Sequence, residues 1–293
     1  MRVLILGVNG FIGKYLARYL HEQQVTVIGA GRTPQVDQSI ASFVEYFTCD
    51  YSVESIGEIC VGCDAIVLLA ATRLNFNHNS YKSDIEIAVN TFEAAFQNGI
   101  KKVVVASSRS VYADEPLPWK EDVCPVPPNL YGASKVAIER LGEFYTARRG
   151  MSVVSLRLAQ VMGWGEREGF VLNTFLEAAF RKELLTVYGT GKGIRQFVYI
   201  KDVLSAIKKA LEKPYLNGIF NIGMEETISI YDLACKINEV FENSGNLKFK
   251  EYPNEDLSVS WMDVQKAKTV MDWKAEYTIE KALTDLKRTR ETE

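Results

Sequence analysis

Histidine is nearly absent from this chain: His21 and His78 are the only two in 293 residues. A histidine-centred catalytic triad or a multi-histidine metal site therefore has little to draw on. Cysteine is sparse too. Of the five, Cys60 and Cys63 form a CxxC, but no second pair completes a tetrahedral zinc site. That pair precedes an apolar strand and does not open a helix, the position a reactive thiol favours. Long apolar runs are missing, so no membrane span of about 20 residues can be drawn. Neither sign of charge dominates: 34 Lys and Arg face 37 Asp and Glu, for a net charge of −3. Nothing here offers the basic footprint that nucleic acid or an anionic membrane requires. The opening MRVLILGVNG runs directly into glycines with no small-residue cleavage site, so it reads as a strand and not as a leader. The expectation is a cytoplasmic protein.

What the chain does have is a globular composition, 47% hydrophobic and 24% charged. Apolar, β-branched runs of strand length fall at 2–6, 25–28, 43–47, 65–70, 102–106 and 152–157. Amphipathic stretches at 11–23, 81–98 and 131–149 separate them. Such alternation predicts an α/β fold: a doubly wound parallel sheet of the Rossmann type, with helices on both faces. After residue 160 the regularity loosens into helical stretches at 169–182, 202–212, 229–242 and 279–289, with short strands near 185–188 and 218–222. The expected division is a dinucleotide-binding domain over 1–160 and a smaller substrate-binding cap over 161–293, with segments around 195–222 returning to the first.

The first strand ends in Gly7-Val8-Asn9-Gly10-Phe11-Ile12-Gly13, and a helix starts near Phe11. Glycines permit the tight turn and a close backbone approach to a pyrophosphate, and the helix start supplies N–H groups and a positive dipole. Strand, loop and helix occur in the order that dinucleotide binding needs. No carboxylate ends the second strand, where one would hold a ribose 2′-hydroxyl. Gly29-Ala30-Gly31 is followed by Arg32, which suits a 2′-phosphate. NADP is slightly preferred over NAD, and a solvated Arg32 is the plain alternative.

The GxxGxxG spacing resembles the extended short-chain dehydrogenase/reductase family, which implies a serine, a tyrosine and a lysine at the reacting centre. Tyr131 and Lys135 form the YxxxK, four apart and so on one helix face. A cation that close favours phenolate and fits the tyrosine for acid/base work. Tyr188…Lys192 and Tyr277…Lys281 share the spacing, but the first lies in a glycine-rich turn and the second beyond the expected sheet. Ser108 follows the strand from Lys102 and fills the family pattern SSxxVY, which implies a hydroxyl donor to the substrate oxygen.

Further resemblances run along nearly the whole chain. Asp50-Tyr51 is similar to the pair at the adenine, and Leu69-Ala70-Ala71 to the segment at the nicotinamide-side ribose. Arg195 opens RQFVYIKD, similar to the RDFVYVDD block whose arginine binds the substrate diphosphate in sugar-nucleotide enzymes. Phe220-Asn221-Ile222-Gly223 matches the FNIG that follows it. Arg73 and Gln160 complete the implied substrate-binding set. Departures accompany these matches. Asp84 stands where Asn is usual, Gln160 replaces an Asn, and Pro253-Asn254-Glu255-Asp256 lacks the second diphosphate arginine. Arg109-Ser110 does not supply the acidic pair of 4,6-dehydratases.

The resemblance implies hydride transfer at C4 of a nucleotide-linked sugar, either 4-keto-sugar reduction, slightly favoured, or 4-epimerisation. A dinucleotide-binding protein without turnover is the alternative of another class. Family likeness also implies a homodimer through helices 81–98 and 131–149, although either helix would serve equally to cover the sheet.

Overall fold

The computed structural model describes residues 1–71, 78–113, 116–166 and 169–291. The chain opens with β1 (Arg2–Leu6), α1 (Phe11–Glu22), β2 (Thr26–Gly31), β3 (Glu45–Thr48), α2 (Val53–Ile59), β4 (Ala65–Leu68), α3 (His78–Gln97) and β5 (Lys102–Ser108). A 3-10 turn over Arg109–Val111 leads to α4 (Leu130–Arg149) and β6 (Ser152–Leu158). Then follow β7 (Gln160–Met162), α5 (Val171–Phe180), β8 (Leu185–Tyr188), β9 (Ile194–Tyr199), α6 (Ile200–Glu212) and β10 (Gly218–Ile222). The last elements are β11 (Thr227–Ser229), α7 (Ile230–Val240), β12 (Leu247–Lys250), α8 (Gln265–Val270) and α9 (Ile279–Glu291).

Seven strands make one parallel sheet in the order β3-β2-β1-β4-β5-β6-β10. Strand order reverses between β1 and β4, the switch point at which such sheets open a ligand crevice. Alternate residues of each strand feed two cores. Val3, Ile5, Val27, Val67 and Val104 face one side, where Leu16 and Leu20 of α1 and Val203 and Ile207 of α6 cover them. Leu4, Leu6, Ile28, Ile66 and Val103 face the other, under Ile56 of α2, Phe92 of α3 and Ile138 of α4. Burial on both faces explains why these strands read as continuous apolar runs.

The late segments divide between sheets. β10 pairs with β6 in the main sheet, whereas β9 joins β7 and β11, and β8 pairs with β12. The second strand outruns its expected end, continuing through Gly29-Ala30-Gly31 against Tyr46-Phe47-Thr48. Glycine suits that stretch because the side chains of Val8 and Val44 fill the space a Cβ at Gly29 would take. Cys60 and Cys63 are buried free thiols, and burial pushes Cys60 up to about 11, which keeps it protonated. No helix among the described residues is long and apolar enough to cross a membrane.

Candidate active site

The glycine loop has the form a dinucleotide needs. Gly7 holds φ at +91°, and a Cβ there would come within 2.8 Å of the Ala70 nitrogen. At Gly13 a Cβ would lie 2.6 Å from the Val8 carbonyl oxygen. The backbone of Leu69-Ala70-Ala71 is thus laid against the loop, tied by the Leu69 and Ala70 N–H groups donating to Leu6 at 3.0 and 2.8 Å. Gly10 caps α1 with no side-chain hydrogen bond, and its first turn contains no acid. Its N–H groups and dipole therefore stay available to a pyrophosphate. Phe11 packs edge-on against Tyr15 and under Gly163, and Ile12 joins the core. The Asn9 amide is used within the protein. It donates to Thr33 Oγ1 and the Gln35 carbonyl, both at 2.9 Å, and its oxygen accepts from the Asp37 N–H. Asn9 thereby shapes the loop after β2 that borders the cofactor crevice.

Beyond β2 and β3 lies a cavity of about 600 Å³ whose wall includes Arg32, Asp50, Tyr51, Ser83, Glu86 and Asn90. Arg32 stands over the Tyr51 ring at 5.5 Å, and Tyr51 holds φ at +67° while Asn90 donates to its carbonyl at 2.8 Å. Burial pushes the Tyr51 phenol up to about 12. The Asp50 carboxylate accepts from the N–H and hydroxyl of Ser52, both at 2.8 Å, which turns the chain into α2. A flat aromatic wall beside a guanidinium fits the adenosine end of a dinucleotide. The residues here thus fit the cofactor that the glycine loop implies.

The segments carrying the expected catalytic residues come together where β5 ends. Asn129 caps α4, accepting from the Gly132 N–H at 2.8 Å, so Tyr131 falls in the first turn. A Cβ on Gly132 would collide with the Ser110 carbonyl oxygen, so helix and strand end touch backbone to backbone. Lys135 is buried, donates to the Ala106 carbonyl at 2.9 Å and lies 5.5 Å from the Tyr131 ring centre. Ser108 Oγ accepts from the Ser110 N–H at 3.1 Å, which leaves its own proton to donate.

One turn beyond Lys135, Glu139 continues the same helix face. It accepts from Ser107 Oγ at 2.6 Å and takes the Arg157 guanidinium in a fork, at 2.9 and 2.7 Å. Arg157 donates to Tyr112 Oη at 2.6 Å, and Tyr112 donates to Asn221 at 2.9 Å. Burial opposes the charge on Arg157, yet Glu139 more than offsets it and holds the guanidinium above its ordinary value. Two consecutive β5 residues are therefore matched to successive turns of α4: Ala106 holds Lys135 and Ser107 holds Glu139, and Ser108 ends the strand.

The substrate side is less uniform. Arg73 lies outside the described residues. Gln160 opens β7, and among the described residues its Nε2 is buried without a hydrogen-bond partner, as is Oε2 of Glu166 nearby in sequence. Burial pushes the Glu166 carboxyl up to about 7. Arg195 is buried on β9 and its terminal nitrogens are engaged. They donate to the Ile194 and Ser258 carbonyls at 2.9 and 2.6 Å, and to the Asp256 carboxylate at 2.6 Å.

Residues 3–223 match the sequence pattern of the NAD dependent epimerase/dehydratase family. The chain belongs to that family. Among solved structures, the UDP-N-acetylglucosamine 4-epimerase from Bacillus cereus superposes with a TM-score of 0.91 at 31% identity, covering 99% of this chain and 96% of its own. An uncharacterized UDP-glucose epimerase of Bacillus subtilis (strain 168) is 27% identical over 97% of this chain and 96% of its own. A dTDP-4-dehydro-6-deoxyglucose reductase of Escherichia coli is 25% identical over 93% and 92%. Membership in the epimerase/dehydratase family makes this chain an NAD-dependent enzyme of the nucleotide-sugar epimerase, dehydratase and reductase group, and sets aside the alternative without turnover.

Two groups of residues escaped the sequence analysis. Ser83, Glu86 and Ile87 line the cavity from α3 with Asn90, which fills the second Asn slot of the family pattern, at three- and four-residue spacing, a stripe readable as one helix face. Glu139 was legible as the next i+4 position after Tyr131 and Lys135, but its partners Ser107 and Arg157 lie on two strands whose register no local pattern shows.

Proposed function

We propose that this chain is a nucleotide-sugar 4-epimerase acting on a uridine-diphosphate sugar. The observation that carries this reading is Lys135 held by the Ala106 carbonyl at 5.5 Å from the Tyr131 ring, with Ser108 two residues further along the same strand. It occurs in a chain similar over 99% of its length to a UDP-N-acetylglucosamine 4-epimerase. The Tyr131 phenolate takes the proton of the sugar C4 hydroxyl while Ser108 donates to the same oxygen. Lys135, fixed by the Ala106 carbonyl, steadies the charge on the phenol and meets the ribose. A nicotinamide bound at the glycine loop would supply reversible hydride transfer at the sugar C4. Tyr131 then gives the proton back, so no net redox change remains. Gln160 is assigned to the substrate: its Nε2, buried without a partner among the described residues, gains from a ligand acceptor.

A second reading, reduction of a 4-keto sugar by free NADPH, draws on Arg32. It stands at the adenosine cavity directly after a strand that ends in Gly31 with no carboxylate. Denaturing the purified protein and identifying the released nucleotide separates the two. Bound NAD in about one-to-one ratio with protein is the expected result. An empty site that takes up NADPH tightly would move the assignment to reduction.

Homodimer formation through α3 and α4 belongs to the same proposal. These helices pack side by side, and each leaves large apolar side chains exposed, Phe144 and Leu130 on α4 and Phe96 on α3. Phe144→Asp is expected to halve the mass measured by analytical ultracentrifugation. An unchanged mass would place the interface elsewhere.

A further inference from the structure

The late loop that lacks an arginine brings its carboxylate to one. Asp256 closes an ion pair with Arg195 at 2.6 Å although its own side chain is 67% exposed. Its backbone oxygen also meets the same guanidinium at 3.3 Å. Arg109, the residue directly after Ser108, points into this neighbourhood. Among the described residues its hydrogen bond is to Ser260 Oγ, at a long 3.3 Å, and Ser260 is itself held to β9 by its N–H donating to the Ile194 carbonyl at 3.0 Å. Burial lowers the Arg109 guanidinium, the charge of Arg195 lowers it further, and that of Asp256 works the other way. The Asp256 carboxylate thus pairs with one guanidinium, Arg195, and stands within electrostatic reach of a second, Arg109, whose fork has more donors than its hydrogen bond to Ser260 uses. That is an anion site already holding a weak, intramolecular anion.

We propose that Arg109 is the second arm of a two-arginine clamp for the substrate diphosphate, supplied by the turn after β5 in place of the late loop. The proposal rests on the nucleotide-sugar reading given above. A diphosphate carries more charge than one carboxylate and offers oxygens to both guanidinium forks, so it displaces Asp256 from Arg195. Position supports the assignment. Ser108 grips the sugar and Arg195 sits on β9, so an arginine reaching from one toward the other lies along the line from sugar to nucleotide. The turn over Arg109–Val111 is braced by α4 through the Gly132 contact, and across from it the exposed Asp256 side chain can leave Arg195 while its backbone stays against Gly193.

Calorimetry on the NAD-loaded protein with UDP, UMP and uridine tests the clamp. Arg109→Gln is expected to weaken UDP about tenfold to a hundredfold, the weight of one charge-assisted contact, and to leave uridine unchanged. Arg109→Lys, which keeps the charge and loses the fork, falls between. Asp256→Asn, which removes the competing anion, tightens UDP. Equal losses for all three ligands, or no loss for UDP, would overturn the assignment. So would a loss confined to UDP-glucuronic acid with UDP and UDP-glucose spared, since Arg109 would then serve a sugar carboxylate. If the wild-type chain binds none of the uridine ligands, the nucleotide-sugar reading fails first, and that outcome is distinct from any Arg109 effect.

Discussion

Tyr131→Phe is expected to lower kcat by about two to four orders of magnitude, the range for a positioned acid/base group, while NAD binding stays intact. The substitution removes one oxygen and nothing that holds the site together. Lys135 keeps its bond to the Ala106 carbonyl, and the helix start is fixed by the Asn129 cap and the contact of Gly132 with Ser110. Steady-state rates with a UDP-sugar, alongside the nucleotide released on denaturation, check both halves. A variant within tenfold of wild-type kcat would remove Tyr131 from the chemistry.

Glu139→Ala is expected to cost about 3–5 kcal/mol of stability, the usual penalty for leaving a buried charge unpaired. Arg157 is 0% exposed and would keep its charge with only the Tyr112 hydroxyl to meet it. Urea unfolding reads the loss as a lower midpoint. Removing both charges together, as Glu139→Leu with Arg157→Met, recovers most of it, because two well-packed apolar side chains need no partner. If the single and double variants unfold alike, the pair carries no such weight. Activity of the double variant gives a separate readout. Stability returns, but Ser107 has lost its acceptor and the spacing between α4 and the end of β5 is no longer set by hydrogen bonds.

The parallel sheet was legible because its central strands are buried on both faces and so appear as uninterrupted β-branched runs, as in Val103-Val104-Val105. Elements lacking that signal were missed. β7 and β11 have three residues each, too few to show a period, and α2 has seven. Arg195 to Tyr199 was recognised as a motif and not as β9, since its alternation is masked by Gln196, a buried amide bonded to Met224 and Met262. In the site, local spacing led to Tyr131 and Lys135, and strand context chose them over two rival pairs. The engagement of Arg195 by Asp256 was beyond reach, because it joins residues 61 positions apart through a loop without regular structure.

The tight seam between Gly132 and Ser110 has a mechanical corollary. With no side chain between them, the segment bearing the phenol and ammonium and the segment bearing the hydroxyl form a single rigid jaw. Under the proposed function, a sugar ligand is then accommodated from the opposite side, where Arg195 can exchange its own carboxylate for the ligand's anion, so ligand arrival and release of Asp256 coincide.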